Sequence, residues 1–242
     1  MKKRICLIHA GGTIGMVKGE NGYYPKEGYL ETILDTIADL KADAMPDVDF
    51  YEMSPLLDSS DMAVDDWNRI GKELAKRYDL YDGFVILHGT DTMAYTSSAL
   101  SFMLENSNKP VILTGSQIPL CEIRSDGRDN LITSLLIAGS GKINEVCLYF
   151  GGRLLRGNRA TKMSADGLLA FDSPNCPRLA EAGISIRYLP YASPKVSNEP
   201  FALCHLESVP IGVLKIFPGI SFPIFFAVFQ LVNTDKLKYI SF

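Results

Sequence analysis

The chain is short of the residues that build metal centres and disulfide frameworks. Its five cysteines, Cys6, Cys121, Cys147, Cys176 and Cys204, are scattered, odd in number and never spaced CxxC, which argues against a disulfide scaffold or a zinc ribbon. Only His9, His88 and His205 are histidines, with no HxxxH pair among them, so neither a metal nor a cofactor is expected. A positive excess is missing too: 24 Lys plus Arg stand against 28 Asp plus Glu, a net charge of -4. Nucleic acid or an anionic membrane as main partner would need a basic surface, and none is expected. The apolar stretch after Met1-Lys2-Lys3-Arg4 is too short for a secretory core, which points to a cytoplasmic chain. No internal repeat or low-complexity tract occurs. What is present is 47% hydrophobic residues over 242 positions, too apolar for disorder and enough for one large domain or for one and part of another.

Short apolar runs alternate with longer amphipathic segments. Arg4 to His9, Val48 to Met53, Phe84 to Leu87, Val111 to Thr114 and Glu145 to Phe150 read as buried strands. Helical spacing recurs between them over Tyr29 to Leu40, Asp65 to Tyr78, Met93 to Asn106 and Gly127 to Ala138. Strand and helix in alternation predict an α/β fold with a mostly parallel sheet flanked by helices.

The composition shifts at Asp172 to Pro210, where six prolines collect among polar residues as in a surface excursion and linker. Ile211 to Phe217 resumes strand character. Phe222, Phe225, Phe226 and Phe229 then crowd a window without charge between Lys215 and Asp235. That window just reaches membrane-span length, but Pro218, Gly219 and Pro223 favour buried core over a membrane helix. The expected organisation is a domain over 1–190, a linker over 191–210 and an incomplete second α/β domain over 211–242.

In open parallel sheets ligands sit beyond the carboxyl ends of the strands. Those ends carry Ala10-Gly11-Gly12-Thr13-Ile14-Gly15, Asp58-Ser59-Ser60-Asp61, His88-Gly89-Thr90-Asp91-Thr92 and Gly115-Ser116-Gln117. The glycine turn lacks the Walker A lysine and the GxGxxG spacing, so a nucleotide is not its expected ligand. Taken alone it is more often plain turn chemistry, yet Thr13 projects a hydroxyl there, and a threonine needs a base or relay to become a nucleophile. Tyr23, the Thr90-Asp91 pair and Lys162 are the candidates to supply one; each alone reads equally as a packed ring or a solvated charge. His9 and His88 flank two of these turns and read more readily as satisfied core histidines than as bases.

Together with Asp58-Ser59-Ser60-Asp61-Met62, His88-Gly89-Thr90-Asp91-Thr92-Met93-Ala94-Tyr95 and Thr114-Gly115-Ser116-Gln117-Ile118-Pro119, the Gly11-Gly12-Thr13-Ile14-Gly15 turn resembles the bacterial L-asparaginase family, closely its cytoplasmic type I branch. The resemblance runs in order from the N-terminus to about Ser221. It implies an amidohydrolase that converts L-asparagine to L-aspartate and ammonia through two threonines, without a cofactor. It implies Thr13 as nucleophile on a mobile loop with Tyr23 as partner, and Thr90, Asp91 and Lys162 as a second, rigid triad. Ser59, Ser60, Thr90, Asp91 and Ser116 fall at substrate-binding positions. Such a site suits an amino-acid amide: a carboxylate for its ammonium, hydroxyls and N–H groups for its carboxylate, donors for an oxyanion.

Members of that family continue into a second α/β domain that supplies much of a homodimer or homotetramer interface, whereas Phe222 to Phe242 does not resemble it. About 100 residues are expected to be missing. The expected consequence is a strand at 211–217 without sheet partners, doubtful assembly and weak activity. The alternatives are an inactive remnant that binds amino acids or a full-length partner, a glutaminase-asparaginase or tRNA-amidating subunit, and a tail-tethered membrane protein.

Overall fold

The computed structural model describes residues 2–20, 22–190, 196–209, 211–213, 215, 217–221, 223 and 239–241. In chain order the elements begin β1 (Arg4–Gly11), β2 (Met16–Gly19), β3 (Gly22–Pro25), α1 (Tyr29–Leu34), β4 (Asp47–Leu57), α2 (Val64–Ala75), β5 (Gly83–Leu87), α3 (Met93–Met103), β6 (Leu104–Glu105) and β7 (Val111–Thr114). They continue α4 (Gly127–Gly139), β8 (Val146–Phe150), β9 (Arg153–Arg156), β10 (Thr161–Lys162), β11 (Phe171–Asp172), β12 (Ala180–Ala182), β13 (Ile186–Tyr188), β14 (Ala202–Leu203), β15 (Ile211–Val213) and β16 (Tyr239–Ser241).

The five apolar runs become five adjacent parallel strands. They form one side of an eight-stranded sheet in the order β13-β12-β9-β8-β7-β5-β1-β4, and β9, β12 and β13 add to it antiparallel. Every residue of β5, β7 and β8 is buried, as both-face coverage of a parallel sheet demands. Alternation divides the side chains between two layers. Ile5, Leu7, Val85, Leu87, Ile112 and Tyr149 pack with Leu30 and Leu34 of α1 and Leu131 and Leu135 of α4. On the other layer the Tyr78 ring, just beyond α2, stacks on Phe84 with centroids 6.2 Å apart. The chain leaves β1 toward β4 and then returns across it to β5, so the order reverses at β1, where such sheets place their ligands.

Several boundaries differ from the sequence reading. Helix α1 stops at Leu34 and a 3-10 turn covers Ala38–Lys41, so the spacing through Leu40 belongs to two short pieces. Helix α2 ends at Ala75 and α3 at Met103; three residues on, Asn106 takes φ of 57°. Strand β4 runs on through Pro55 because it is the sheet edge, where a missing N–H costs no ladder bond.

Contacts divide the chain into two units, 1–205 and 206–242. The first therefore extends past residue 190, into the expected linker. Asn108 accepts the Ser197 N–H at 2.8 Å and donates to the Ser197 carbonyl at 2.9 Å. Phe201 stacks on Tyr78 at 3.7 Å, and β14 pairs with β6. Residues 191–195 and Pro210 lie outside the described residues. In the second unit β15 spans only Ile211–Val213, and it does have a partner: it pairs in parallel with β16. Phe222, Phe225, Phe226 and Phe229 also lie outside the described residues. Among those described, no helix is long and apolar enough to cross a membrane.

Candidate active site

Three turns meet at the carboxyl end of the sheet, around the reversal at β1. Gly11 and Gly12 leave the strand with φ of 137° and 96°, a region side chains rarely adopt. Close approach adds to the requirement. A Cβ on Gly12 would lie 2.3 Å from the Gly89 amide nitrogen, and one on Gly89 would lie 2.2 Å from Ser59 Oγ. The turns after β1, β4 and β5 thus interlock through glycine, which brings Thr13, Ser59 and Thr90 to one mouth. Thr92 Oγ1 ties two of these turns further by donating to the Ser59 carbonyl at 2.7 Å.

Thr90 is buried and its hydroxyl is doubly engaged. It donates to Gln117 Oε1 at 3.1 Å and accepts from Lys162 Nζ at 2.9 Å. The same ammonium donates to Asp91 Oδ1 at 2.8 Å; the lysine side chain is mostly buried, while that of Asp91 is 61% exposed. Residues 72 positions apart are joined here because β10, which carries Lys162, packs against α3. Thr90, Asp91 and Lys162 are therefore assembled as a cluster, with a proton donor and acceptor in hydrogen-bond reach of one hydroxyl.

The remaining expected residues divide. Thr13 sits in the 3-10 turn Thr13–Gly15, partly exposed, and its hydroxyl takes no hydrogen-bond partner among the described residues. Tyr23 lies on the β2–β3 hairpin with its phenol donating to Glu122 Oε1 at 2.7 Å, so the structure pairs it with that carboxylate rather than with Thr13. Ser59 is buried against Gly89, whereas Ser60 is exposed and spends its hydroxyl on Asp58 Oδ1 at 2.8 Å. Ser116 is 1% exposed, with no hydrogen-bond partner for its Oγ among the described residues; it is its neighbour Gln117 that reaches Thr90.

Gln117 is a site residue with no role evident in the sequence. Its amide also donates to the carbonyls of Ala165 and Gly167 at 3.0 and 3.1 Å, fastening the turn beyond Lys162 to Thr90. Asp126 in turn accepts the N–H groups of Gln117 and Ile118, and Asn130 donates to the Gly115 carbonyl. Only Asp126 gave a local signal, an acidic residue before a helix start.

His88 proves to be a core histidine. Its Nδ1 lies 2.7 Å from the Gly89 carbonyl, and its Nε2 lies 2.9 Å from Thr96 Oγ1, which also accepts from Trp67 Nε1 at 3.1 Å. One consistent arrangement has Nδ1–H donating and Nε2 accepting. Burial lowers the imidazole pKa to about 4 against the raising effect of the carbonyl contact, so the ring is neutral at pH 7.

A hollow of about 450 Å³, lined by Asn108, Asn144, Glu145 and Arg156 among others, lies at the opposite ends of β7 and β8. It has no part in this cluster. Among the described residues no group of three or more His, Cys, Asp or Glu is placed to hold a metal ion.

Residues 4–193 match the family described as Asparaginase, N-terminal. The chain is 54% identical over 221 residues to L-asparaginase 1 of Escherichia coli (strain K12), covering 91% of this chain and 65% of that protein. It is 40% identical over 241 residues to the 60 kDa lysophospholipase of Mus musculus, covering 90% of this chain and 43% of the other. The crystal structure of L-asparaginase I from Vibrio cholerae O1 biovar eltor str. N16961 superposes with a TM-score of 0.87 at 47% identity, over 93% of this chain and 68% of that one. The chain thus spans just under two thirds of the length of the Escherichia coli relative. A matching domain over most of its length, with the sheet order and the interlocked turns, places the chain in the asparaginase family.

Proposed function

We propose that this chain hydrolyses the side-chain amide of L-asparagine to L-aspartate and ammonia. The observation that carries the reading is the Lys162 ammonium bonded to both Thr90 Oγ1 and Asp91 Oδ1, in a turn locked against Gly12 and hence beside Thr13. Two hydroxyls at one mouth suit acyl transfer in two steps. Thr13 Oγ attacks the amide carbon and its proton is passed on; ammonia leaves with a proton, and an acyl-enzyme ester remains. Water then attacks the ester, aided by Thr90 with Lys162, and restores the Thr13 hydroxyl. Asp91, exposed beside the mouth, serves the substrate ammonium, while Ser59 and neighbouring backbone N–H groups serve its carboxylate. Ser60, Ser116 and Tyr23 act as supports, through Asp58, the α4 packing and Glu122 respectively.

The same reading places the chain in the cytoplasm, acting as a homo-oligomer on a free amino acid and needing no metal or cofactor. The expected division into a catalytic unit and a second, shorter one goes with it, the boundary moved to His205. The test is ammonia release from L-asparagine by the purified chain, with L-glutamine and a lysophospholipid as competing substrates. Thr13→Ala and Thr90→Val should each lower kcat by at least about 10³-fold. Full activity in either variant, or preferential cleavage of the lysophospholipid, refutes the proposal.

A further inference from the structure

His9 is almost fully buried at the end of β1, a position where an apolar ring would fill the space without a polar cost. Its Nδ1 lies 2.9 Å from Glu52 Oε2, and the two residues are register partners in the parallel β1–β4 ladder. The second oxygen of that carboxylate, Oε1, accepts the Gly28 N–H at 2.6 Å. On the other side of the ring lies Gly15: a Cβ there would fall 2.6 Å from His9 Cε1 and 2.7 Å from Nε2, and Leu30 is next to it. His9 Nε2 itself is buried without a hydrogen-bond partner among the described residues.

One pair, a buried imidazole and a part-buried carboxylate, therefore touches both ends of the segment between Gly15 and Gly28. Between those ends lies the β2–β3 hairpin that carries Tyr23, and Thr13 belongs to the same 3-10 turn as Gly15. No other titratable group is bonded to either partner among the described residues; Phe50 stacks against the imidazole at 6.4 Å and Leu30 is apolar. Burial lowers the His9 pKa more than Glu52 raises it, which keeps the ring neutral with Nδ1–H available to the carboxylate.

We propose that His9 and Glu52 are positioning residues: the pair is the anchor that sets the Thr13 turn and the hairpin over the catalytic mouth. This rests on the asparaginase reading only for its kinetic consequence. Gly28 starts α1 with φ of 73°, so its orphan N–H points at a partner that the sheet supplies rather than at a side-chain cap of its own. Loss of the Glu52 carboxylate frees that end, and loss of the His9 N–H lets the carboxylate swing away from it. A displaced nucleophile lowers the rate of attack more than it lowers substrate affinity.

Two measurements on the full chain test this. Backbone hydrogen exchange in Glu52→Ala should be at least about tenfold faster over residues 13–28, with β5, β7 and β8 unchanged. In asparagine hydrolysis kcat should fall about tenfold or more, with KM changed by less than about threefold. Glu52→Gln keeps an oxygen for Gly28, and His9→Asn keeps an N–H near the Nδ1 position; both should retain most of the rate, whereas His9→Leu should not. Unchanged exchange over 13–28 in Glu52→Ala overturns the proposal, as does equal acceleration in the central strands. If the unmodified chain releases no ammonia, the functional reading fails, and the exchange comparison alone decides the anchor.

Discussion

His88 shows what a buried titratable side chain does when it is not a catalyst. Its pKa stands at about 4 in the folded chain against an ordinary 6.5, so between those values the unfolded chain takes up a proton that the folded one refuses. Stability should be insensitive to this group above about pH 6.5 and should decline as pH falls through the window toward 4. At pH 5 the loss amounts to about 2 kcal/mol from this residue. The window separates it from the paired carboxylates. Glu73, for example, is held at about 2 by Lys76 and Arg77, against the opposing effect of its own burial, and costs stability only at more acid pH. Urea midpoints measured from pH 7.5 to 5 should fall for the unmodified chain, and His88→Asn should remove a large part of the slope. An identical slope in that variant would assign the effect elsewhere, His9 being the next group that burial keeps neutral.

At the scale of elements, glycine decides how closely the strand ends approach. Gly12→Ala meets the Gly89 backbone at 2.3 Å, in addition to the strain of φ at 96°. Neither partner is the movable end of a side chain, so the cost should be at least about 2 kcal/mol, with activity lost. Gly141→Ala is the control: φ of 68° with nothing within 4 Å, a cost of about 1 kcal/mol. Chemical denaturation of the two variants compares them, and equal costs would mean that the interlock at Gly12 is loose. Much of this architecture is legible in the chain. Phe84 to Leu87 and Val111 to Leu113 are apolar throughout because both faces of the sheet are covered, and a run of that kind has few other homes. The β12–β13 pair is not legible, being three residues per strand with Glu181 and Arg187 among them. Within the site, Thr13, Thr90 and Asp91 announce themselves by following apolar strands. Gln117 and Asp126 act through backbone groups that only the folded turns bring near, and Tyr23 meets Glu122 across 99 positions, so no local pattern encodes their roles.

For the whole molecule, the decisive fact is where the sheet closes its contacts. All eight strands, both helical layers and the Thr90, Asp91 and Lys162 cluster lie within 1–205, and the last ten residues of that unit are fastened to it by Asn106, Asn108, Tyr78 and β6. A boundary at 190 would strip those fastenings from Tyr78, whose ring stacks on Phe201 at 3.7 Å. Stacked aromatic pairs contribute about 1 kcal/mol beyond the area they bury, and the lost β14 ladder and Asn clamps add to that. A chain ending at His205 should therefore unfold in one cooperative transition, whereas a chain ending at Pro190 should melt several degrees lower, as a deficit of a few kcal/mol implies for a unit of this size. Calorimetry of the two shortened chains beside the full one measures this. Equal midpoints for the two would show that residues 196–205 only lie against the first unit, and a non-cooperative melt of the 205-residue chain would show that its core depends on residues 206–242.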